Sequence, residues 1–185
     1  MKRIFCIFIA MFLLNGCGTT TSEMDAAVEL RQKLLVNSCS FVADITADYG
    51  DELYNFRVQC SADASGNMNF TVIAPDTISG ITGCIDRDNA KLTFDDTVLS
   101  FPPLSDGKLA PAMAPWVFIN TLRSGFLSAC GKNGDLYLIL ADDSYADNAL
   151  KLEIWADPAL VPVSADIFWN QQRIVSIQIS DFIIQ

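Results

Sequence analysis

The chain has 185 residues, with 12 basic against 22 acidic side chains, no histidine and a net charge of −10. Such a surface is repelled by phosphate backbones and anionic headgroups, which argues against nucleic acid as a partner. The missing histidine removes the commonest general base, the usual catalytic triad and most zinc hydrolase sites.

Lys2 and Arg3 head an apolar run from Ile4 to Leu14. Its length suits a secretory h-region and falls short of the roughly 20 residues a helix needs to span a bilayer. The run closes on Leu14, Asn15, Gly16 and Cys17, followed at once by polar, turn-prone Gly18 to Thr21. A branched apolar residue three before a cysteine, with a small residue directly before it, resembles the lipobox of bacterial lipoproteins. That resemblance implies cleavage after Gly16 and lipidation of Cys17 with palmitate-like chains. Residues 1–16 are then a lipoprotein signal peptide, 17–21 a tether, and 22–185 a single domain anchored to a bacterial cell membrane on its extracytoplasmic side. One acyl chain anchors only marginally, whereas two or more hold a soluble domain at a membrane surface. The alternative is an ordinary signal peptide with an incidental cysteine. Losing Lys2 and Arg3 makes the mature chain more acidic still, so attachment comes from the lipid.

From Ser22 the pattern turns helical, with Met24, Ala27, Leu30 and Leu34 recurring at three and four. Asn37 and Ser38 stop it. In the stretch from Cys39 to Cys60, Phe41, Ala43 and Ile45 alternate with polar residues, and Tyr54, Phe56 and Val58 repeat the pattern after a turn at Asp48–Asp51. A hairpin centred on Tyr49 and Gly50 sets Ile45 against Tyr54, Ala43 against Phe56, Phe41 against Val58 and Cys39 against Cys60. Opposed cysteines at such a position come within disulfide reach. The expectation is therefore a Cys39–Cys60 disulfide, leaving Cys84 to pair with Cys130. Four remaining cysteines in an exported chain, none of them in a C-x-x-C, favour disulfides over a metal site; the alternative is buried free thiols.

Further strands follow: Met68 to Ala74, "ISGITGCI", then "KLTF" and "VLSF" on either side of Asp95 and Asp96. A Pro-rich loop leads into Trp116, Ile119, Leu122 and Phe126, which mark a helix, apolar on nearly every face, opened by Pro115 and ended by Cys130 and Gly131. Such a helix is expected to be buried. Four closing strands end the chain. The fold class is α+β: a curled antiparallel sheet of about ten strands, an incomplete β-barrel, with an N-terminal amphipathic helix and a buried apolar helix in its concave face.

The helix "MDAAVELRQKLL", the Cys39–Cys60 hairpin, "NFTVIAP" with "ISGI", "KLTFDD" and the helix around Trp116 together resemble the LolA/LolB-type lipoprotein carriers. The resemblance is one of element order over nearly the whole mature chain. It implies an apolar cavity that holds acyl chains or another greasy ligand, in proteins that move lipid or lipid-modified protein in the envelope. The apolar set expected to wall such a cavity is Phe56, Phe70, Phe101, Trp116, Phe118 and Leu122. The alternative is a solid core, in a structural or interaction lipoprotein with a protein partner. Asp95/Asp96 and Asp142/Asp143 read as turn residues rather than a catalytic or cation-binding pair. The sequence carries no nucleophile, phosphate or dinucleotide motif, and the expectation is no enzyme, no metal and no cofactor.

Overall fold

The computed structural model describes residues 20–86, 90–94, 97–101, 104–105 and 108–185. Cys17, the leader, most of the tether, and Asp95 and Asp96 lie outside them. Helix α1 spans Thr20–Val36 and takes in the last two residues of the expected tether. Ala27, Leu30 and Leu34 are fully buried on one face while Val28, Glu29 and Lys33 are exposed. This is the stripe that the three-and-four spacing demands.

The strands are β1 (Cys39–Asp48), β2 (Leu53–Ala62), β3 (Met68–Ala74), β4 (Thr82–Ile85), β5 (Ala90–Phe94), β6 (Thr97–Phe101), the short pair β7 (Leu104–Ser105) and β8 (Lys108–Leu109), β9 (Phe126–Asn133), β10 (Leu136–Asp142), β11 (Lys151–Ala156), β12 (Pro162–Trp169) and β13 (Gln172–Ile184). A 3₁₀ turn at Pro111–Met113 precedes helix α2, Ala114–Ser124. Eleven strands form one open sheet in the order β6-β5-β4-β3-β2-β1-β13-β12-β11-β10-β9. Every adjacent pair is antiparallel. β7 and β8 pair separately. The last strand thus lies beside the first, joining two meanders through β1 and β13.

The sheet curls, and α2 measures the curl. This helix packs on α1 and touches both β2 and β10, which stand five places apart in the sheet. Five flat steps would separate those strands by about 24 Å, whereas an eleven-residue helix is about 16 Å long. Both contacts require the sheet to wrap around it. Ala114, Val117, Phe118, Ile119 and Leu122 of α2 join α1 and the inner strand residues in one continuous core, so the expected curled sheet with a buried helix is what the chain forms.

Three expectations are corrected. The β1–β2 register runs Cys39↔Ala62, Phe41↔Cys60, Ala43↔Val58 and Ile45↔Phe56, two residues from the expected one. A two-residue slip keeps every side chain on its face, so alternation alone cannot detect it. The turn decides: Tyr49 N–H donates to the Glu52 carbonyl at 3.0 Å, closing a four-residue loop in place of a two-residue one. Next, α2 stops at Ser124 instead of running to Cys130, and Phe126 begins an edge strand. At Gly125 a Cβ would lie 2.5 Å from the Asp142 carbonyl oxygen, so glycine lets the chain leave the helix directly against β10. Finally, "ISGITGCI" is strand only from Thr82, the residues before it forming a turn.

Candidate functional site

The inner face is covered by α2, and three side chains fix where that helix sits. Arg31 of α1 donates from Nε to the Leu122 carbonyl and from Nη2 to the Gly125 carbonyl, each at 2.7 Å. It thus places a cation at the negative end of the helix dipole. Trp116 and Arg123, seven residues apart on one face of α2, both donate to the β2–β3 turn. The indole Nε1 reaches the Gly66 carbonyl at 3.0 Å, and the Arg123 guanidinium reaches that of Asp63. The Asp63 carboxylate stiffens this turn by accepting from Ser65 N–H at 2.8 Å, Asn67 N–H at 3.0 Å and the Asn67 side chain at 2.9 Å. The Asn67 side-chain bond leads the causes that lower its pKa.

Beside α2 the core ends in a rim of half-buried apolar side chains packed against it: Tyr49, Phe56, Ile78, Ile81, Leu92 and Ala112. They come from the β1–β2 loop, β2, the β3–β4 connection, β5 and the 3₁₀ turn, so the rim follows one end of the β1–β5 half. Tyr49 ties the rim to the segment leading into α2, its hydroxyl donating to the Leu109 carbonyl. Burial, helped by nearby Tyr54, pushes its phenol up to about 12.

Of the residues expected to wall a cavity, Phe118 and Leu122 are at 0% exposure and Phe70 is buried. Phe118 meets Phe41 edge-on with centroids 5.9 Å apart. Phe70 packs on Gly83 across the β3–β4 ladder, where a Cβ would lie 2.2 Å from its ring. Phe56 and Trp116 are half-buried at the core's margin. The Phe101 side chain lies outside the described residues. The set therefore divides into core fillers (Phe70, Phe118, Leu122), one rim residue (Phe56) and Trp116, which is held against the β2–β3 turn. Sequence reasoning missed Arg31 and Arg123, although each carried a signal: a cation adjoining the buried Leu30–Leu34 stripe, and the single charge in an otherwise apolar helix.

The cysteines are free thiols among the described residues. The register puts Ala62, not Cys60, opposite Cys39. Cys84 alternates with buried Gly83 and Ile85 and so faces outward, whereas Cys130 packs toward the core on the far edge strand. The two thus lie on opposite faces and on well-separated strands of the sheet. Burial pushes the Cys39 thiol up to about 11, and that of Cys60 further up. Among the described residues no group of three His, Cys, Asp or Glu side chains could hold a metal ion.

No protein-family model matches the chain, and no curated protein matches it. A solved structure shares the fold. It is an uncharacterized conserved protein from Thermus thermophilus, with a TM-score of 0.50 and 8% identity over 88% of this chain and 87% of that one. Lower-scoring likenesses are a LolA superfamily protein from Nitrosomonas europaea, with a TM-score of 0.44 and 10% identity over 84% of this chain and 92% of that one, and the Mycobacterium tuberculosis lipoprotein LppX, with 0.44 and 12% over 87% and 93%.

Proposed function

We propose that this chain is a non-enzymatic, extracytoplasmic lipoprotein, anchored through Cys17, that binds an apolar ligand such as an acyl chain on the inner face of its curled sheet. The observation that carries the reading is the half-buried rim of Tyr49, Phe56, Ile78, Ile81, Leu92 and Ala112, contiguous with the core beneath α2. Apolar groups at such a margin are stabilised by any greasy occupant that removes them from water, at about 25 cal/mol per Å². No helix among the described residues is long and apolar enough to cross a membrane, and anchoring falls to the lipobox-like cysteine, three residues ahead of Thr20 where α1 begins.

The full burial of Phe70, Phe118 and Leu122 favours a second reading, a structural or interaction lipoprotein with a solid core. Native mass spectrometry of the protein extracted from membranes separates the two. The carrier reading expects an intact mass beginning at an acylated Cys17 together with copurified lipid. An acylated but ligand-free protein favours the solid core, and a chain still beginning at Met1 removes both.

A further inference from the structure

The outer face of the sheet carries a second feature, at the end opposed to the rim's half. Across strands β9 to β12 the ladders set Phe126 against Asp142, Asp142 against Lys151, and Lys151 against Phe168. The next row sets Leu140 against Glu153. Between these rows lies a groove of about 420 Å³, lined by Leu140, Asp142, Lys151, Glu153, Phe168 and Gln171 among others. This is within the range of small binding sites, about 300–1,000 Å³. Its apolar floor comes from Leu140 and Phe168. Its charged groups have no ion pairs, because the pairs among the described residues are Glu29–Lys33, Asp44–Arg57 and Asp166–Arg173.

Phe126, opposite the lining residue Asp142 in the ladder, is 44% exposed, and it meets Tyr145, 88% exposed, with ring centroids 5.3 Å apart. Two large rings held together in water are the residue type that dominates protein interfaces.

We infer that this groove is a docking site for a protein partner that presents an arginine beside an apolar residue. The partner's apolar side chain covers Leu140 and Phe168. Its guanidinium reaches the unpaired Asp142 and Glu153 carboxylates and stacks on the exposed Phe126–Tyr145 pair, a combination that suits the planar guanidinium and not a compact ammonium. The charge favours it twice, through two carboxylates against one amine in the groove and through the −10 charge of the whole chain, which steers a cationic segment inward. Among the described residues, Lys151 in the groove and Arg31, which interacts electrostatically with Tyr145, oppose such a partner. The site stands on the opposite face from the ligand rim and is independent of the carrier reading.

The test is an amide chemical-shift titration of the ¹⁵N-labelled mature domain with acetyl-Arg-Leu-Arg-amide. The expected result is saturable shifts at Ser128, Leu140, Lys151, Phe168 and Gln171, and tightening by roughly fivefold in Lys151→Glu, an exposed substitution that removes the opposing charge. Asp51→Asn, on the distant β1–β2 turn, is expected to leave the affinity unchanged. Shifts spread over acidic residues elsewhere, no shifts, or a response of the groove to phosphatidylcholine bicelles but not to the peptide would each overturn the proposal.

Discussion

Arg31 Nε donates to the Leu122 carbonyl at 2.7 Å, joining the N-terminal helix to the C-terminal end of the buried one across 91 residues of sequence. The same guanidinium also satisfies the Gly125 carbonyl. Arg31→Met keeps the stem and removes the donors, leaving carbonyls unpaired in a half-buried site. The expected loss is about 2–3 kcal/mol of unfolding free energy by urea denaturation. Arg31→Lys is expected to recover only part of it, because one ammonium cannot reproduce the fork.

Three glycines are expected to differ sharply when changed to alanine. At Gly125 the new methyl would meet the backbone of Asp142 and Thr121, which cannot yield, and at Gly83 it would meet the Phe70 ring. At Gly131 it would meet nothing within 4 Å. Thermal unfolding is expected to show Gly125→Ala as the most damaging, Gly83→Ala destabilised by about 1–3 kcal/mol as Phe70 is displaced, and Gly131→Ala within about 0.5 kcal/mol of the parent.

The chain's faces were legible in its sequence, and its register was not. The alternation of Phe41, Ala43 and Ile45, and of Tyr54, Phe56 and Val58, names the strands correctly because a half-buried sheet imposes it. Registers two residues apart share that alternation, so the choice fell to the Tyr49–Glu52 loop, whose closing bond is a backbone contact with no strong signature. The end of α2 was misread for a related reason. Phe126 continues the three-and-four spacing of Trp116, Ile119 and Leu122, yet the Gly125 constraint comes from Asp142, a strand away in space and seventeen residues on in sequence. The rim was legible only in part: Phe56 stood out by size, whereas Ile78, Ile81 and Ala112 gain their place from how the β3–β4 connection and the 3₁₀ turn fold back. The outer groove was hidden because its rows are made by cross-strand pairing.

The thiols give an alkylation order. Cys84 is exposed, Cys130 is half-buried, and Cys39 and Cys60 are buried. Iodoacetamide is expected to label Cys84 first, Cys130 more slowly, and the other two only on unfolding. Labelling of a fresh sample under denaturing conditions without reductant is expected to reach four equivalents in total for the domain from Gly18 to Gln185. Two equivalents would instead indicate a disulfide and a local rearrangement.

The same burial fixes a pH dependence. Burial raises the Cys39 thiol from about 9 to about 11 and raises that of Cys60 as well. The folded state therefore holds protons that the unfolded chain has released. Their stabilising contribution is complete below about pH 9 and is lost as the pH climbs through about 11. Urea midpoints are expected to fall over that interval, and to fall less steeply in Cys39→Ala.

Fluorescent fatty-acid titration of the domain from Gly18 to Gln185 bears most directly on the carrier reading. The expected result is saturable uptake, read from the probe's emission, that is weakened at least tenfold by Phe56→Asp or Ala112→Asp, both of which set a charge in the rim while leaving the circular dichroism spectrum unchanged. A folded domain that takes up no fatty acid, or takes it up equally well with those charges in place, would contradict it.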